Sequence, residues 1–357
     1  MREIFPRLVL SRRTCLPWVL TSCGDEMLHS IIDFHHPLET PHDGHNHRDF
    51  ILADPPTAPR ANNRIRIWVA SADGTATWLF IASPQPRLVD ILTGAVKPLP
   101  PFPDEERMSM ENLRGVVYGD GTVFLYNFIN KYPSESITAA IMCPDSATWT
   151  VMTKMLKLFT QPYAMYHDGK VLVLDGDSLW YFKMTTDYEG NSVDVGSRLE
   201  SSWDLYGDIH YSHQCSYILE SHDRLCVVTN ASIQRALRVM VRTLQKESGG
   251  NKMQWVERDN RRLGNHMLLL GTPASFTAKL DEGGGCAYFV YWGGVFRYNF
   301  LDDETKVVKR LRPGCCAGEV CVWLRPSLQI TPIQEIKERL VARGSKQDEK
   351  GLLFKVK

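Results

Sequence analysis

The feature that most constrains this chain is a rhythm of short apolar runs of strand length, each closed by glycine and aspartate. Arg64 to Ala70 places Ile65, Ile67 and Val69 on one face, and Thr77 to Ile81 follows after Asp73-Gly74. Val116-Val117-Tyr118 and Val123 to Tyr126 flank Gly119-Asp120-Gly121. Tyr163 to Tyr166, Lys170 to Leu174 and Ser178 to Phe182 are joined by His167-Asp168-Gly169 and Asp175-Gly176-Asp177, which spells a three-stranded meander. Asp-Gly pairs supply the positive φ that tight hairpins require.

The rhythm continues with Ser216 to Leu219, Leu225 to Thr229, Ala236 to Leu244 and Trp255-Val256. Cys286 to Tyr291 and Val295 to Phe300 flank Trp292-Gly293-Gly294, and Val320 to Leu324 closes the series. Groups of strands recur about every 45–50 residues, the spacing of small antiparallel sheets repeated around an axis. The fold class is therefore all-β: a β-propeller of about six or seven small antiparallel blades, with one amphipathic helix near the C-terminus. The last strand is expected to pair with the N-terminal segment around Pro17 to Leu20, which closes the ring and removes an exposed edge.

That helix reads from its signals. Thr331 is the N-cap, Pro332 takes the first helical position and Gln334 completes a capping box. Ile333, Ile336, Leu340 and Val341 share a face, and Gly344 is the stop. Pro37 to Asn63 and Pro98 to Pro103 read as loops. The division is an N-terminal extension at 1–16, the propeller at 17–328, the helix at 329–344 and a charged tail at 345–357.

Composition narrows the class. With 41 Lys+Arg against 41 Asp+Glu over 357 residues, the chain lacks the broadly basic surface of a general nucleic-acid binder. The balance is uneven: 12 basic and 5 acidic residues lie in 305–357, leaving 29 against 36 in 1–304. An acidic body thus carries a basic end, the place where an acidic partner would dock. Nine cysteines stand at irregular spacing without a C-x-x-C pair, and several sit in apolar runs such as Leu225-Cys226-Val227-Val228. That is the pattern of reduced, buried thiols in the cytoplasm or nucleus. Under that reading the sequon Asn230-Ala231-Ser232 goes unused. Arg2, Arg7, Arg12 and Arg13 against the single acid Glu3 allow organellar import as a second localisation. No run approaches the length of a membrane-spanning helix.

Three constellations invite a chemical reading. His35, His36, His42, His45 and His47 cluster with Asp43 and Asp49, donors suited to Zn or Ni if the loop held them rigidly. Asp208, His210, His213 and Cys215 have ligand-like spacing, but strand alternation splits His210 from His213 and Cys215. Gly283-Gly284-Gly285 precedes a strand, whereas a phosphate cradle needs a helix to follow. The expectation is no catalytic residue, no metal, no cofactor and no membrane contact, with the partner-binding residues unknown.

Several strand-turn segments together resemble a plant family, the F-box-associated proteins whose main domain is the KIB-type β-propeller. They are Leu92 to Pro100, Met142-Cys143-Pro144-Asp145 to Val151, Tyr166 to Asp175, Tyr217 to Ser221, Trp255-Val256-Glu257 with Leu263-Gly264 to Gly271, Cys286 to Phe289, and Trp323 to Leu328. The resemblance implies a protein-interaction propeller like the substrate receptors of F-box ubiquitin ligases. Residues 1–16 show no F-box, so direct binding of Skp or cullin is not expected. The resulting expectation is a non-catalytic propeller that binds another protein, with an enzyme or small-ligand binder using the central channel as the alternative.

Overall fold

The computed structural model describes residues 18–23, 28–32, 47–53, 66–82, 85–90, 95–101, 113–131, 134–156, 162–175, 178–183, 197–200, 214–221, 224–233, 236–246, 253–259, 263–279, 285–291, 293–310, 321–324 and 353–356. The chain is a β-propeller. Strands β1 (Trp18–Cys23), β2 (Leu28–Ile32) and β3 (His47–Ala53) pair antiparallel in sequence order. The next meander is β4 (Arg66–Ser71), β5 (Thr77–Ile81), β6 (Arg87–Asp90) and β7 (Val96–Pro98). It is followed by β8 (Arg114–Val117), β9 (Val123–Lys131), β10 (Ser134–Met142) and β11 (Thr150–Met155). Two further antiparallel blades are β12 (Tyr163–His167), β13 (Lys170–Asp175), β14 (Ser178–Lys183) and β15 (Ser197–Glu200), then β16 (Gln214–Ser221), β17 (Arg224–Ile233), β18 (Ala236–Lys246) and β19 (Met253–Glu257).

The following sheet departs from a simple meander. Its strands are β20 (His266–Leu270), β21 (Phe276–Lys279), β22 (Cys286–Tyr291), β23 (Gly294–Asn299) and β24 (Glu304–Arg310). β20 pairs antiparallel with β21 on one side and parallel with β22 on the other, so the order is β21-β20-β22-β23-β24. Finally β25 (Cys321–Leu324) pairs antiparallel with β1, with Trp18 opposite Leu324 and Thr21 opposite Cys321. The expected closure between the last blade strand and the N-terminal segment is therefore present.

Why these runs are apolar throughout, rather than alternating with polar residues, follows from where their faces go. In β9, Val123 and Leu125 join a core with Val69, Phe80 and Leu88 of the preceding blade. Phe124 and Tyr126 turn the other way, into a core with Ala164, Val171 and Val173 of the next blade. In β13 the split repeats: Leu172 and Leu174 pack with Tyr217 and Val228 of the β16–β19 blade. Each such strand has a blade on both sides, and side chains of successive residues point to opposite faces. Both faces must therefore be apolar, as in any sheet covered on both sides. Each fully buried Phe or Leu contributes about 1.5–3 kcal/mol.

The turns carry the backbone conformations expected of Asp-Gly. Gly74 has φ 72°, Gly121 φ 91°, and Asp168 and Gly169 have φ 48° and 70°. Two successive positive values let His167 pair directly with Lys170 across a two-residue turn. Gly285 answers a different need. A methyl group there would overlap the Leu263 carbonyl, its N–H donates to the Gly264 carbonyl at 2.8 Å, and its own carbonyl accepts from Phe300 at 3.0 Å. The glycine run thus ends in a close backbone approach, and a strand, β22, follows it.

Two readings of the sequence need correction. The loop expected over Pro37 to Asn63 contains β3, because Phe50-Ile51-Leu52 supplies an apolar strand among loop-forming neighbours. The charged tail at 345–357, for which no strand was expected, contains β26 (Leu353–Val356), which pairs antiparallel with β3 and makes that sheet five-stranded, in the order β25-β1-β2-β3-β26. The N-terminal extension at 1–16 and the helix expected at 329–344 lie outside the described residues. Among the described residues, no helix is long and apolar enough to cross a membrane.

Two outcomes follow. Gly285→Ala should lower stability by about 1–3 kcal/mol, since the overlap is with backbone that cannot rotate away, measured as a shift in the denaturation midpoint. Deleting residues 1–22 removes nearly all of β1 and should abolish the cooperative thermal transition seen by circular dichroism. A retained transition would show that closure is dispensable.

Candidate functional site

Several acidic and aromatic side chains of the described residues stand at the C-terminal ends of β4, β8, β12 and β16 and on the turns that follow. β4 and β8 run parallel and adjacent, with Val69 opposite Gly115 and Ser71 opposite Val117. Their following turns therefore emerge side by side, tied by the Ala72 N–H donating to the Val117 carbonyl at 2.9 Å. The two turns share one sequence, Asp73-Gly74-Thr75 and Asp120-Gly121-Thr122, and one device. Asp73 Oδ1 accepts from the Thr75 N–H at 3.0 Å and from its hydroxyl at 2.7 Å. Asp120 accepts from the Thr122 N–H at 2.8 Å and from its hydroxyl at 2.9 Å. The repeated Asp-Gly-Thr is an internal signal that marks the two turns as equivalent. Partial burial pushes the Asp73 carboxyl up, but hydrogen bonds from Thr75 and Ser71 outweigh it and hold the pKa below its ordinary value.

From here a continuous arc of contacts runs from blade to blade. Lys97 of β7 donates its Nζ to the Gly121 carbonyl at 2.7 Å. Tyr118, at the end of β8, accepts a hydrogen bond from the Tyr166 N–H at 2.8 Å. The Tyr118 and Tyr166 rings meet edge to face at 6.0 Å. Beyond them, His167 Nδ1 lies 3.3 Å from Glu220 Oε2, joining the β12 and β16 blades. Cys143, Pro144 and Asp145 stand exposed on the neighbouring β10–β11 turn. Acidic side chains dominate the arc: Asp73, Asp120, Asp145, Asp168 and Glu220 against Lys97 and Lys170.

Beneath the arc lies a set of tyrosines. Burial raises the pKa of Tyr118, Tyr126 and Tyr163, and the neighbouring Tyr126 phenol raises Tyr118 and Tyr163 further. The Arg114 guanidinium pulls Tyr126 back only in part. Arg114 itself donates to the Pro162 carbonyl at 3.2 Å. These phenols are neutral hydrogen-bonding groups at physiological pH, not bases or nucleophiles. Tyr163 is hydrogen-bonded by Ser275 from the segment between β20 and β21. The next residue, Phe276, lies so close to Gly74 that a methyl group there would overlap its ring. One short segment thus touches the β12 blade through Ser275 and the β4 turn through Phe276. In the core that Phe276 shares with Trp323, burial pushes Tyr288 up to about 12, with Cys286 adding to the rise and Arg297 opposing it.

The three constellations singled out in the sequence lie mostly outside the described residues. His35, His36, His42, Asp43 and His45 lie outside the described residues, and His47 and Asp49 belong to β3. Asp208, His210 and His213 are likewise outside, while Cys215 belongs to β16. Gly283 and Gly284 are outside, and Gly285 makes the backbone approach described above. Among the described residues, no three His, Cys, Asp or Glu side chains group as metal ligands would. Sequence reasoning placed Tyr118, Tyr166, His167 and Asp120 on strand ends and turns without singling them out. Their convergence depends on neighbouring blades.

A family model for the KIB1-4 β-propeller matches residues 52–319, which is 268 of the 357 residues. The chain belongs to the KIB1-4 β-propeller family. The match begins inside β3 and ends before β25, so the strands that close the ring lie almost wholly beyond it. No curated protein matches the chain. Among solved structures, it is similar to a DUF4784 family protein from Bacteroides caccae at 11% identity and a TM-score of 0.36, covering 88% of this chain and 75% of that one.

The Asp73 carboxylate is stabilising when ionised, so its contribution is present above the ordinary carboxylate pKa and is lost as pH falls through the depressed folded value. Asp73→Ala should cost about 1 kcal/mol at neutral pH, with the difference from wild type shrinking in melts taken toward pH 3. The buried tyrosines give the opposite limb. Their folded pKa values are raised, so stability is intact below the ordinary phenol value of about 10 and declines above it. Absorbance titration should show these phenols ionising only together with unfolding.

Proposed function

We propose that this chain is a non-catalytic protein-binding propeller of the cytoplasm or nucleus, and that its recognition surface is the arc of turns from Lys97 to Glu220. The observation that carries this reading is the linkage itself. Lys97 to Gly121, Tyr118 to Tyr166 and His167 to Glu220 join turns of successive blades into one surface. That surface mixes aromatic rings with acidic groups. Aromatic residues on a rigid scaffold are the usual anchors of protein interfaces, and loops held by a scaffold are the usual carriers of recognition. The excess of Asp and Glu suits a partner that presents Lys or Arg.

Ligand binding in the central channel is the competing reading. What favours surface recognition is the Ser275-Phe276 segment, which brings Tyr163 and Gly74 of two different blades into contact with it. The resemblance to F-box-associated propellers gives the surface a role: presenting a bound protein to ubiquitin-ligase machinery supplied by other components.

Quantitative affinity capture from native cells tests the proposal. The double variant Asp145→Arg, Glu220→Arg, at two exposed positions of the arc, should lose a defined set of partners by tenfold or more while its melting temperature stays within a few degrees. An unchanged partner set for the variant would count against the arc as the recognition surface.

A further inference from the structure

Asp-Gly is the dipeptide in which a side-chain carboxyl and the next backbone nitrogen react most readily with each other, because glycine has no side chain to hinder the approach. The sequence holds five such pairs, beginning at Asp43, Asp73, Asp120, Asp168 and Asp175. Three of them, Asp73-Gly74, Asp120-Gly121 and Asp168-Gly169, lie wholly among the described residues, each on a turn between strands. One molecule therefore presents the same chemistry in three environments.

Asp73-Gly74 and Asp120-Gly121 are held at both reacting ends. Their carboxylates accept from the N–H and hydroxyl of Thr75 and of Thr122 at 2.7–3.0 Å. Their glycine N–H groups also donate, Gly74 to the Ser71 carbonyl at 3.2 Å and Gly121 to the Tyr118 carbonyl at 2.9 Å. Either nitrogen must give up that bond before it can reach the carboxyl. Neighbours confine both glycines as well: Phe276 lies against Gly74, and Lys97 and Pro144 lie 3.6 Å from where a Gly121 side chain would begin.

Asp168-Gly169 lacks these restraints. Lys170 stands where the other two turns have threonine, so it offers the carboxylate no hydroxyl, and it is paired with His167 in the ladder. The Asp168 side chain is 82% exposed and meets Lys170 Nζ at 4.0 Å, beyond hydrogen-bond reach. Among the described residues, no acceptor takes the Gly169 N–H, and no atom lies within 4 Å of where a Gly169 side chain would begin. The backbone differs too. Asp168 has φ 48°, in the left-handed region that residues with side chains seldom adopt, whereas Asp73 and Asp120 do not enter it.

We propose that Asp168-Gly169 is a modification site, at which the backbone isomerises spontaneously to an isoaspartyl linkage. The Gly169 nitrogen attacks Cγ of the Asp168 carboxyl in its neutral form. A C–N bond forms, the C–OH bond breaks, and the hydroxyl leaves as water with the amide proton. Water then opens the five-membered imide. Opening at the side-chain carbonyl restores aspartate, and opening at the main-chain carbonyl routes the backbone through Cβ and Cγ. One water leaves and one enters, so no oxidant, reductant or cofactor is needed and the mass is unchanged. The product adds a backbone carbon to a two-residue turn, which disturbs the match of His167 with Lys170. His167 Nδ1 lies 3.3 Å from Glu220 Oε2, so the change falls beside the link between the β12 and β16 blades. The modification does not depend on whether the arc binds a partner.

The test ages the intact chain at neutral pH and physiological temperature and digests samples with trypsin. Residues 158–170, 115–131 and 67–87 then carry Asp168, Asp120 and Asp73 in separate peptides. The 158–170 peptide should split into two forms of equal mass. One form should resist an aspartate-specific protease at residue 168. Its free α-carboxylate should take a labelled methyl group from S-adenosylmethionine, with S-adenosylhomocysteine released, when an isoaspartyl methyltransferase is supplied. Isoaspartate should accumulate at least tenfold faster at 168 than at 73 or 120 in the folded chain, and at similar rates in the three free synthetic peptides. Equal accumulation at the three sites of the folded chain, or a lead for residue 168 that the free peptides reproduce in full, overturns the proposal.

Discussion

The pairing of β1 with β25 is the interaction on which the rest of this molecule depends. It joins Trp18–Thr21 to Cys321–Leu324, segments separated by some three hundred residues. Closing so long a loop costs entropy that grows only with the logarithm of its length, so the distance itself is affordable. What closure prevents is more costly. Blades whose strands are apolar on both faces cannot leave one face uncovered, and an open series would expose the end faces of two blades. Closure brings Trp323 into a fully buried site, where its Nε1 donates to the Leu270 carbonyl at 2.8 Å and its ring meets Tyr288 at 6.3 Å. Trp323 from the last part of the chain thereby completes a packed core with Met267, Leu269 and Phe276.

That interface connects the closure to the turn surface. Phe276 belongs to the same core as Trp323 and lies against Gly74, in the first of the two Asp-Gly-Thr turns. Its neighbour Ser275 is held internally, bonding both the N–H and the carbonyl of Gly271 at 3.1 and 3.0 Å, and also meets Tyr163. The segment between β20 and β21 thus acts as an internal brace between blades that do not adjoin in sequence. The arc from Lys97 to Glu220 rests on this brace. Its side chains are positioned by hydrogen bonds to backbone, as in Lys97 to Gly121 and Tyr166 to Tyr118, more than by ion pairs. The one His–carboxylate contact, His167 with Glu220, is partly exposed and contributes at most a modest amount.

The strand-turn rhythm was legible wherever an apolar run met an Asp-Gly or Gly-Gly turn, as from Tyr163 to Phe182. Some strands without such a turn were legible from the apolar run alone, as from Ala236 to Leu244, but β3 and β26 were not. β3 was hidden because His, Asp and Pro around it read as loop, and β26 because lysines flank it. β3 becomes a strand by pairing with β2 across a long connection, and β26 only by pairing with β3, some three hundred residues away. The Asp-Gly-Thr repeat was present in the sequence, yet its meaning depended on β4 and β8 lying parallel. A parallel pairing forty-six residues apart (Val69 with Gly115) leaves no local trace.

By itself, the sequence determined the class of the fold: strands of a certain length, turns of positive φ and apolar faces on both sides are local properties, set by steric limits on each residue and by the period of the strand. The tertiary structure alone decided which strands pair across the ring, which edge receives β26 and which turns meet to form a surface. These are contacts between segments far apart in the chain, and their partners are selected by the complementarity of whole faces, a property that no single segment contains.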